Sequence, residues 1–521
     1  MPPTIALCTP APVTNRTAEE NLGLGYLASV LRGDGYDVRI VDGWLNGLSP
    51  AQIAGELMTL GELLWIGFSC YRSNLERIID TVDILRAAGA RPPIVVGGFG
   101  PTFHAEDFLS RGIDVVVRGE GEQTVIELCR CFADGCPRLE DIQGISFLRD
   151  GMPVHTPARP LLLDIDALPL PARDTIELAM HRRLPIHLLT SRGCPAHCLF
   201  CSVVAFMRLS KGPQWRQHSI TRIGAELQDL TARGASYFIV VDDSMLEPPR
   251  DLAWCTALAD EISRRGLRVR LRAMVRADRI TDAIVRELKR AGFFAFFCGI
   301  ENYAQSALTR MNKQASLRQN LDALAIFKQY GMYVTVGYIL FDHLTTIDEL
   351  WQNLEGMRQH RWTICKGVFS EMFAAEGTSY SKLLARRGLL QVDSSGLGNH
   401  QYQVADPAAR AVYHALKRWH RSYMPLNDKL LEPLIHPKQL DPWELELFYS
   451  LYRTLRGRDF DLLERLLMLA EAGASGPSLL EFVDSEIAST LAWRTDFDAR
   501  VDHAYARTHL VYAADPNPFV C

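Results

Sequence analysis

Three cysteines within eight residues, Cys194-x3-Cys198-x2-Cys201, follow the apolar run Ile186-His187-Leu188-Leu189-Thr190 through only Ser191-Arg192-Gly193. This is the strongest constraint in the chain. A strand must deliver a short loop that gathers three thiols, and such a loop can wrap three thiolates around one face of an iron–sulfur cube. A cube has four iron corners, so three protein ligands leave one iron open to another ligand. The alternatives are a structural zinc site and three unrelated thiols. Zinc calls for a fourth Cys or His at matching spacing, and His197 stands alone inside the loop.

The 521 residues suffice for about three domains, each with its own core. Charge is balanced at a formal net of -5, which gives no reason to expect nucleic acid. No apolar run reaches the roughly 20 residues that cross a bilayer, and Met1-Pro2-Pro3-Thr4-Ile5 lacks the basic start and apolar core of a signal peptide. The twelve cysteines are scattered, which reads as reduced thiols of a cytoplasmic protein. Cys129, Cys131 and Cys136 cluster in sequence, but their spacing does not place them on one helix face, so packing is the expectation.

Strands and helices alternate over residues 1–140. Strands are expected at Ile5–Cys8, Asp37–Asp42, Leu63–Ser69, Pro93–Gly98 and Asp114–Arg118. Helices are expected at Leu22–Leu31, from Ser49-Pro50 onward, and at Ser73–Ala88. This pattern is that of a doubly wound, Rossmann-like parallel sheet, whose ligands sit at the carboxyl ends of the strands. Those ends carry Ser69-Cys70-Tyr71, Gly97-Gly98-Phe99 and Arg118-Gly119-Glu120-Gly121-Glu122. Glycines there admit a close-lying ligand or serve tight turns. Residues 141–184 read as a connector, with a hairpin turning at Asp150-Gly151 and prolines beyond it.

Six strand-plus-helix units are expected over 185–399, with strands at Ile186–Thr190, Tyr237–Asp243, Arg268–Arg276, Phe294–Glu301, Tyr333–Leu340 and Trp362–Phe373. That is a partial (β/α)6 barrel, with function at the carboxyl ends of its strands. Asp242, Asp243, Arg276, Glu301 and the Gly337–Leu340 stretch fall there, each able to be a helix cap or a ligand contact. Residues 400–521 read as a helical region, with helices at Pro407–Tyr423, Pro442–Ala472 and Ser478–His509. Its aromatic stripe, including Trp419, Trp443 and Trp493, is expected to be core.

The order Asn21-Leu22-Gly23-Leu24-Gly25-Tyr26-Leu27-Ala28, Asp42, Gly97-Gly98 and Arg118-Gly119-Glu120-Gly121-Glu122 resembles the cobalamin-binding domain of cobalamin-dependent radical S-adenosylmethionine enzymes. The cysteine motif, with Phe200 before its last cysteine, resembles the radical S-adenosylmethionine domain of the same family. The Asp-x-His-x-x-Gly motif of cobalamin mutases is absent, which implies that no histidine ligates cobalt from below. The resemblance implies that Cys194, Cys198 and Cys201 hold a [4Fe-4S] cluster, whose open iron takes the methionyl amine and carboxylate of S-adenosylmethionine. It also implies that Asp242 or Asp243 lies near that amine, that Arg276 pairs with the carboxylate beside Glu301, and that the strand bearing Gly337 and Ile339 passes the adenine. Asp42, Ser69, Cys70, Tyr71, Gly97, Gly98, Phe99, Arg118, Gly119, Glu120 and the loop Thr9–Asn21 are the corresponding corrin candidates. A Gly-x-Pro-Gly-Glu-Thr-like turn of the family is replaced by Phe341-Asp342-His343-Leu344-Thr345-Thr346.

The chemistry so implied is methyl transfer to an unactivated carbon of a small molecule, in natural-product biosynthesis. A 5′-deoxyadenosyl radical takes a hydrogen atom, methylcobalamin gives the methyl group, and an external one-electron reductant starts the cycle. The catalytic work falls to the cofactors, with no side-chain nucleophile. The second expectation keeps both cofactors but rearranges, cyclises or oxidises the substrate. A methylthiotransferase would need a second cysteine trio in the first domain, and a cobalamin sensor would have no use for an open iron. Nucleic acid and membrane are not expected partners, and the oligomeric state, a monomer included, is open.

Overall fold

Central parallel strands are buried on both faces and read as continuous apolar runs. That is how β1 (Thr4–Thr9) arises, with β2 (Asp37–Asp42) beside it at the sheet's edge, and so do β3 (Leu63–Ser69), β4 (Ile94–Gly97) and β5 (Val115–Val117), their residues buried but for Thr4, Asp37, Arg39, Ile40, Leu64, Ser69 and Gly97. In this computed structural model the described residues are 3–11, 20–391, 399–435 and 440–510. The strands alternate with α1 (Leu22–Gly33), α2 (Pro50–Thr59), α3 (Leu75–Ala87) and α4 (Glu122–Asp134). Ser49 and Gln52 form a reciprocal capping box at the start of α2, next to a first-turn proline.

The strand order is β2-β1-β3-β4-β5, all parallel, so the order reverses between β1 and β3. One core cluster lies on each face of the sheet, with Ile66, Phe68 and Val96 in one and Leu7, Trp65 and Val95 in the other. The hairpin expected in the connector is instead part of this sheet. β6 (Ile145–Arg149) pairs antiparallel with β5, and β7 (Met152–His155) with β6, making seven strands. The hairpin does turn at Asp150-Gly151, both at positive φ (51° and 77°).

The chain forms two units, and the division falls inside the cysteine loop, between Pro195 and Ala196. The described part of the first unit comprises this sheet, the connector, β8 (Ile186–Leu188), the antiparallel pair β9 (Ser191–Gly193) and β10 (Trp215–Gln217), and α5 (Ile220–Ala232). The second holds residues 196–201 and everything described from 236 onward.

In the second unit β11 (Tyr237–Val240), β12 (Arg270–Arg276), β13 (Phe293–Glu301) and β14 (Tyr333–Tyr338) are parallel neighbours in that order. They alternate with α6 (Leu252–Arg264), α7 (Asp282–Arg290), α8 (Leu317–Gln329) and α9 (Ile347–Gln359). The sixth expected barrel strand, Trp362–Phe373, is not a strand. Its ladder with its neighbour is reduced to the isolated parallel bridges Thr335–Ile364 and Phe341–Glu371. Gly367, at φ 134° between them, takes the backbone out of the extended conformation that a ladder needs.

The C-terminal helices are α10 (Pro407–Ile435), α11 (Pro442–Glu471), α12 (Gly476–Ser489) and α13 (Leu491–Thr508). Two expectations are corrected here. The first helix does not stop at Tyr423 but runs through Pro425 and Pro433. Its apolar face there, with Leu426, Leu430, Leu431 and Leu434 buried, outweighs the backbone bonds that proline removes. The last expected helix is two, parted at Thr490, whose hydroxyl bonds back to the Glu486 carbonyl (2.8 Å) and accepts from Tyr423 (2.8 Å). The aromatic stripe is core at Trp419, Tyr423, Phe448 and Tyr452, while Trp443 is half exposed.

Candidate active site

The first unit's candidate residues begin at the strand ends around the β1/β3 reversal. At β4 the chain turns through Gly98 at φ 112°, and a Cβ there would stand 2.7 Å from the Cys70 carbonyl oxygen. Only glycine permits this approach. Gly97 precedes it, and Phe99 stacks on Phe206 (centroids 4.8 Å apart). Ser69 accepts a hydrogen bond from Asn21 (3.3 Å), and the buried Cys70 thiol donates to the Tyr71 carbonyl (2.9 Å), with the Tyr71 ring half exposed. Two buried oxygens nearby, Thr9 Oγ1 and Asn74 Oδ1, have no hydrogen-bond partner among the described residues, although the Asn74 amide donates to Pro10 (3.1 Å). Unpartnered buried oxygens are costly unless something else satisfies them. Of the loop Thr9–Asn21, residues 12–19 lie outside the described residues.

Other candidates at these ends have partners inside the fold. Asp42 is buried and caps the short helix Gly43–Asn46 by accepting from Leu45 N–H (2.8 Å). Burial pushes its carboxyl up to about 6. Arg118 donates to the carbonyls of Ile145 and Thr156, tying the hairpin to β5. Gly119, at φ 83°, donates its N–H to Thr102 Oγ1 (3.2 Å).

Glu120 and Glu122 point to the cysteine loop's own flank. Glu120 pairs with Arg216 (2.9 Å) and with Arg192 (3.5 Å), and accepts from Leu162 N–H (2.9 Å). Glu122 pairs with Arg192 at 2.6 Å. Burial alone would raise the Glu122 carboxyl, but Arg192 outweighs it and holds it below the usual range. Arg192 also stacks over Tyr26 (5.1 Å). β9, which carries Arg192, ends at Gly193, where φ is 87° and a Cβ would lie 2.1 Å from Gln214 O. The segment leading into Cys194 is therefore fixed by a buried charge network on one side and a side-chain-free turn on the other.

In the second unit the rest of the loop is held by the turn after the short helix Gln305–Arg310 that follows β13. Leu199 N–H donates to Met311 O (3.0 Å), the Asn312 amide to His197 O (2.8 Å), and Tyr380 N–H to Leu199 O (2.9 Å). Leu199, Phe200 and Ile339 pack on the cluster of Ala304, Ala307, Met311, Met372, Tyr380 and Leu384. Cys194, Cys198 and Cys201 are all partly exposed, whereas Cys8, Cys70, Cys129, Cys255, Cys298 and Cys365 are buried. Cys129 accepts from Trp65 Nε1 (3.1 Å), and burial pushes its thiol up to about 12, as expected of packing rather than ligation. No three His, Cys, Asp or Glu converge on one metal ion among the described residues. Three ligands of a cube bind three different irons, so that convergence is not what a cube requires.

The rim of the second sheet brings the remaining charged candidates into three ionic groups. Asp242 is fully buried on Arg250 (3.3 Å), while its neighbour Asp243 is exposed. Arg276 forms a two-point pair with Asp278 (2.9 and 2.8 Å), bonds Gln314 (2.9 Å) and approaches Glu247 (3.5 Å). Glu301 sits at positive φ (63°), where β13 slips register against β14. This aims its carboxylate at Lys313 Nζ (2.9 Å), and a Cβ on Gly337 would lie 3.1 Å from its other oxygen. Ile339 N–H donates to Glu301 O (2.7 Å). Lys313, Asn312, Glu247, Asp278 and Arg192 were not legible as site residues, because each acts through a partner distant in sequence or in an irregular turn. The turn Phe341–Thr346 is a helix start: Thr346 and Glu349 form a capping box, and Arg310 pairs with Asp342 (2.9 Å) and Glu349 (2.6 Å).

Residues 14–129 match the B12 binding domain, and residues 188–355 match the Radical SAM superfamily. An uncharacterized methyltransferase of Pyrococcus horikoshii is 29% identical over 61% of this chain and 69% of its own length. The hopanoid C-3 methylase of Methylococcus capsulatus is 28% identical, over 61% of each chain. The anaerobic magnesium-protoporphyrin IX monomethyl ester cyclase of Rubrivivax gelatinosus is 27% identical over 61% of this chain and 58% of its own length. Among solved structures, the cobalamin-dependent S-adenosylmethionine radical enzyme OxsB, with aqua-cobalamin and S-adenosylmethionine bound, superposes with a TM-score of 0.78 at 19% identity. The match covers 98% of this chain and 85% of that one.

Proposed function

Because the chain belongs to the cobalamin-dependent radical S-adenosylmethionine enzymes, we propose that it is a C-methyltransferase acting on an unactivated carbon of a small molecule, in natural-product biosynthesis. The observation that carries this reading is the pairing, in one chain, of a B12 binding domain with an exposed three-cysteine loop. When bound, the cluster and S-adenosylmethionine supply hydrogen-atom abstraction, and cobalamin supplies the methyl group.

The chain's own residues position these groups. Cys194, Cys198 and Cys201 would ligate three irons, and their partial exposure suits thiols that must accept a cluster. Glu120, Glu122 and Arg216 fix Arg192 and so the loop's first arm. Met311 and Asn312 fix its second. Asp242, buried against Arg250, and Asp243, exposed on the rim, would lie near the amine. Arg276 would meet a carboxylate from within its frame of Asp278 and Gln314, with Glu301, Gly337 and Ile339 beside the nucleoside. For the corrin, the close turn at Gly98 lets a flat macrocycle approach the backbone, and Thr9 Oγ1 and Asn74 Oδ1 offer buried oxygens that still want donors. Gly97 and Phe99 flank that turn in sequence, and Ser69, Cys70 and Tyr71 meet it across the sheet, where Ser69 pairs with Gly97 and Cys70 N–H donates to Gly97 O (2.8 Å). Asp42, Arg118 and Glu120 would complete the corrin's surroundings from the other strand ends.

Among the described residues, the first unit's Cys8, Cys70 and Cys129 are buried and form no trio, which disfavours methylthio transfer through a second cluster. Similarity to a cyclase favours one second reading, ring closure without methyl transfer. Incubating the reconstituted enzyme with candidate metabolites and methyl-deuterated S-adenosylmethionine separates the two. A product that gains the labelled methyl supports methylation. Deoxyadenosine with no labelled product contradicts it.

A further inference from the structure

The turn Met311-Asn312-Lys313 holds the cysteine loop by two hydrogen bonds and also carries a buried ammonium. Lys313 is about as buried as a core residue, with its side chain 6% exposed, and it pairs with Glu301 at 2.9 Å. Gly299 makes room for this pair. A Cβ there would stand 2.7 Å from both Glu301 Oε1 and Lys313 Nζ. A buried lysine costs several kcal/mol to desolvate unless a charge offsets it. Glu301 supplies that charge, and the turn's two hydrogen bonds go to His197 and Leu199, the residues on either side of Cys198.

We propose that Lys313 sets the redox poise of the cysteine-held cluster, its ammonium favouring the reduced state and Glu301 opposing it. The inference rests on the cluster assignment made above. Adding an electron adds a negative charge, and a fixed cation in a medium of low dielectric stabilises that charge while a fixed anion destabilises it. The electron itself comes from the external one-electron reductant.

Potentiometric titration of the cluster's electron paramagnetic resonance signal, without S-adenosylmethionine, tests this on the full chain. Lys313→Met is expected to need a more negative potential, with about tenfold less reduced cluster at a fixed potential, or about 59 mV. Lys313→Arg keeps the wild-type value, and Glu301→Gln shifts it the opposite way. The opposed directions separate charge from folding damage, and the Glu301→Gln arm stands even if Lys313→Met fails to hold its cluster. Wild-type potentials in the cluster-loaded Met and Gln variants overturn the inference alone. Wild-type protein that takes up no iron overturns the cluster assignment with it.

Discussion

Asp42 shows how a single residue can look like a ligand and act as a cap. It sits at the carboxyl end of β2, where ligands of such sheets gather, yet its carboxylate faces Leu45 N–H. Burial raises its folded pKa to about 6 from the usual 3.8. The folded state therefore holds this proton more tightly than the unfolded chain, so the contribution to stability falls as pH rises from about 4 to about 6. Two pKa units correspond to about 3 kcal/mol. Asn caps a helix as well as Asp does, so Asp42→Asn is expected to match wild type near pH 4 and to exceed it by up to about 3 kcal/mol above pH 6. Denaturation midpoints of the two proteins across that range check it, and a pH-independent difference would refute the assignment. At this scale the sequence was partly legible. The three cysteines declare themselves by spacing. Glu120 stands out in a glycine-rich run, but its partner Arg216 is 96 residues away, and no spacing rule links them. Lys313 likewise meets Glu301 only because β13 slips register there.

The elements were more legible than their junctions. β2, at the sheet's edge, and β3, inside it, match expectation residue for residue, since turn residues bound both. The segment Trp362–Phe373 failed because its apolar content concealed Gly367, and α10 outran its prolines because burial outweighs propensity. The element on which most depends is β9, three residues whose Arg192 joins the glycine-rich run after β5 to the residue before the cysteine loop's turn. Arg192→Met removes one partner of a buried pair and leaves Glu122 charged and uncompensated. The expected cost is about 3–5 kcal/mol, with iron uptake reduced because the arm entering Cys194 loosens. A denaturation midpoint and an iron assay read the two effects. Stability within about 1 kcal/mol of wild type would mean that the network does not hold β9.

At the scale of the whole molecule, the chain joins a sheet whose strand order reverses between β1 and β3 to a second unit with four parallel strands and a helical C-terminal region. Strand alternation made both sheets legible. The antiparallel addition of β6 and β7 was not, because a hairpin's sequence does not say which edge it joins. Among the described residues no helix is long and apolar enough to cross a membrane. The central claim is that one chain holds two cofactors on separate sets of residues, with the iron on the cysteine trio alone. The most direct measurement is iron and corrinoid content after anaerobic reconstitution of wild type and of the Cys194→Ala, Cys198→Ala, Cys201→Ala variant. The prediction is a four-iron cluster and a corrinoid in wild type, with iron lost and corrinoid kept in the variant. Equal iron in the two proteins, or no corrinoid in either, would contradict it.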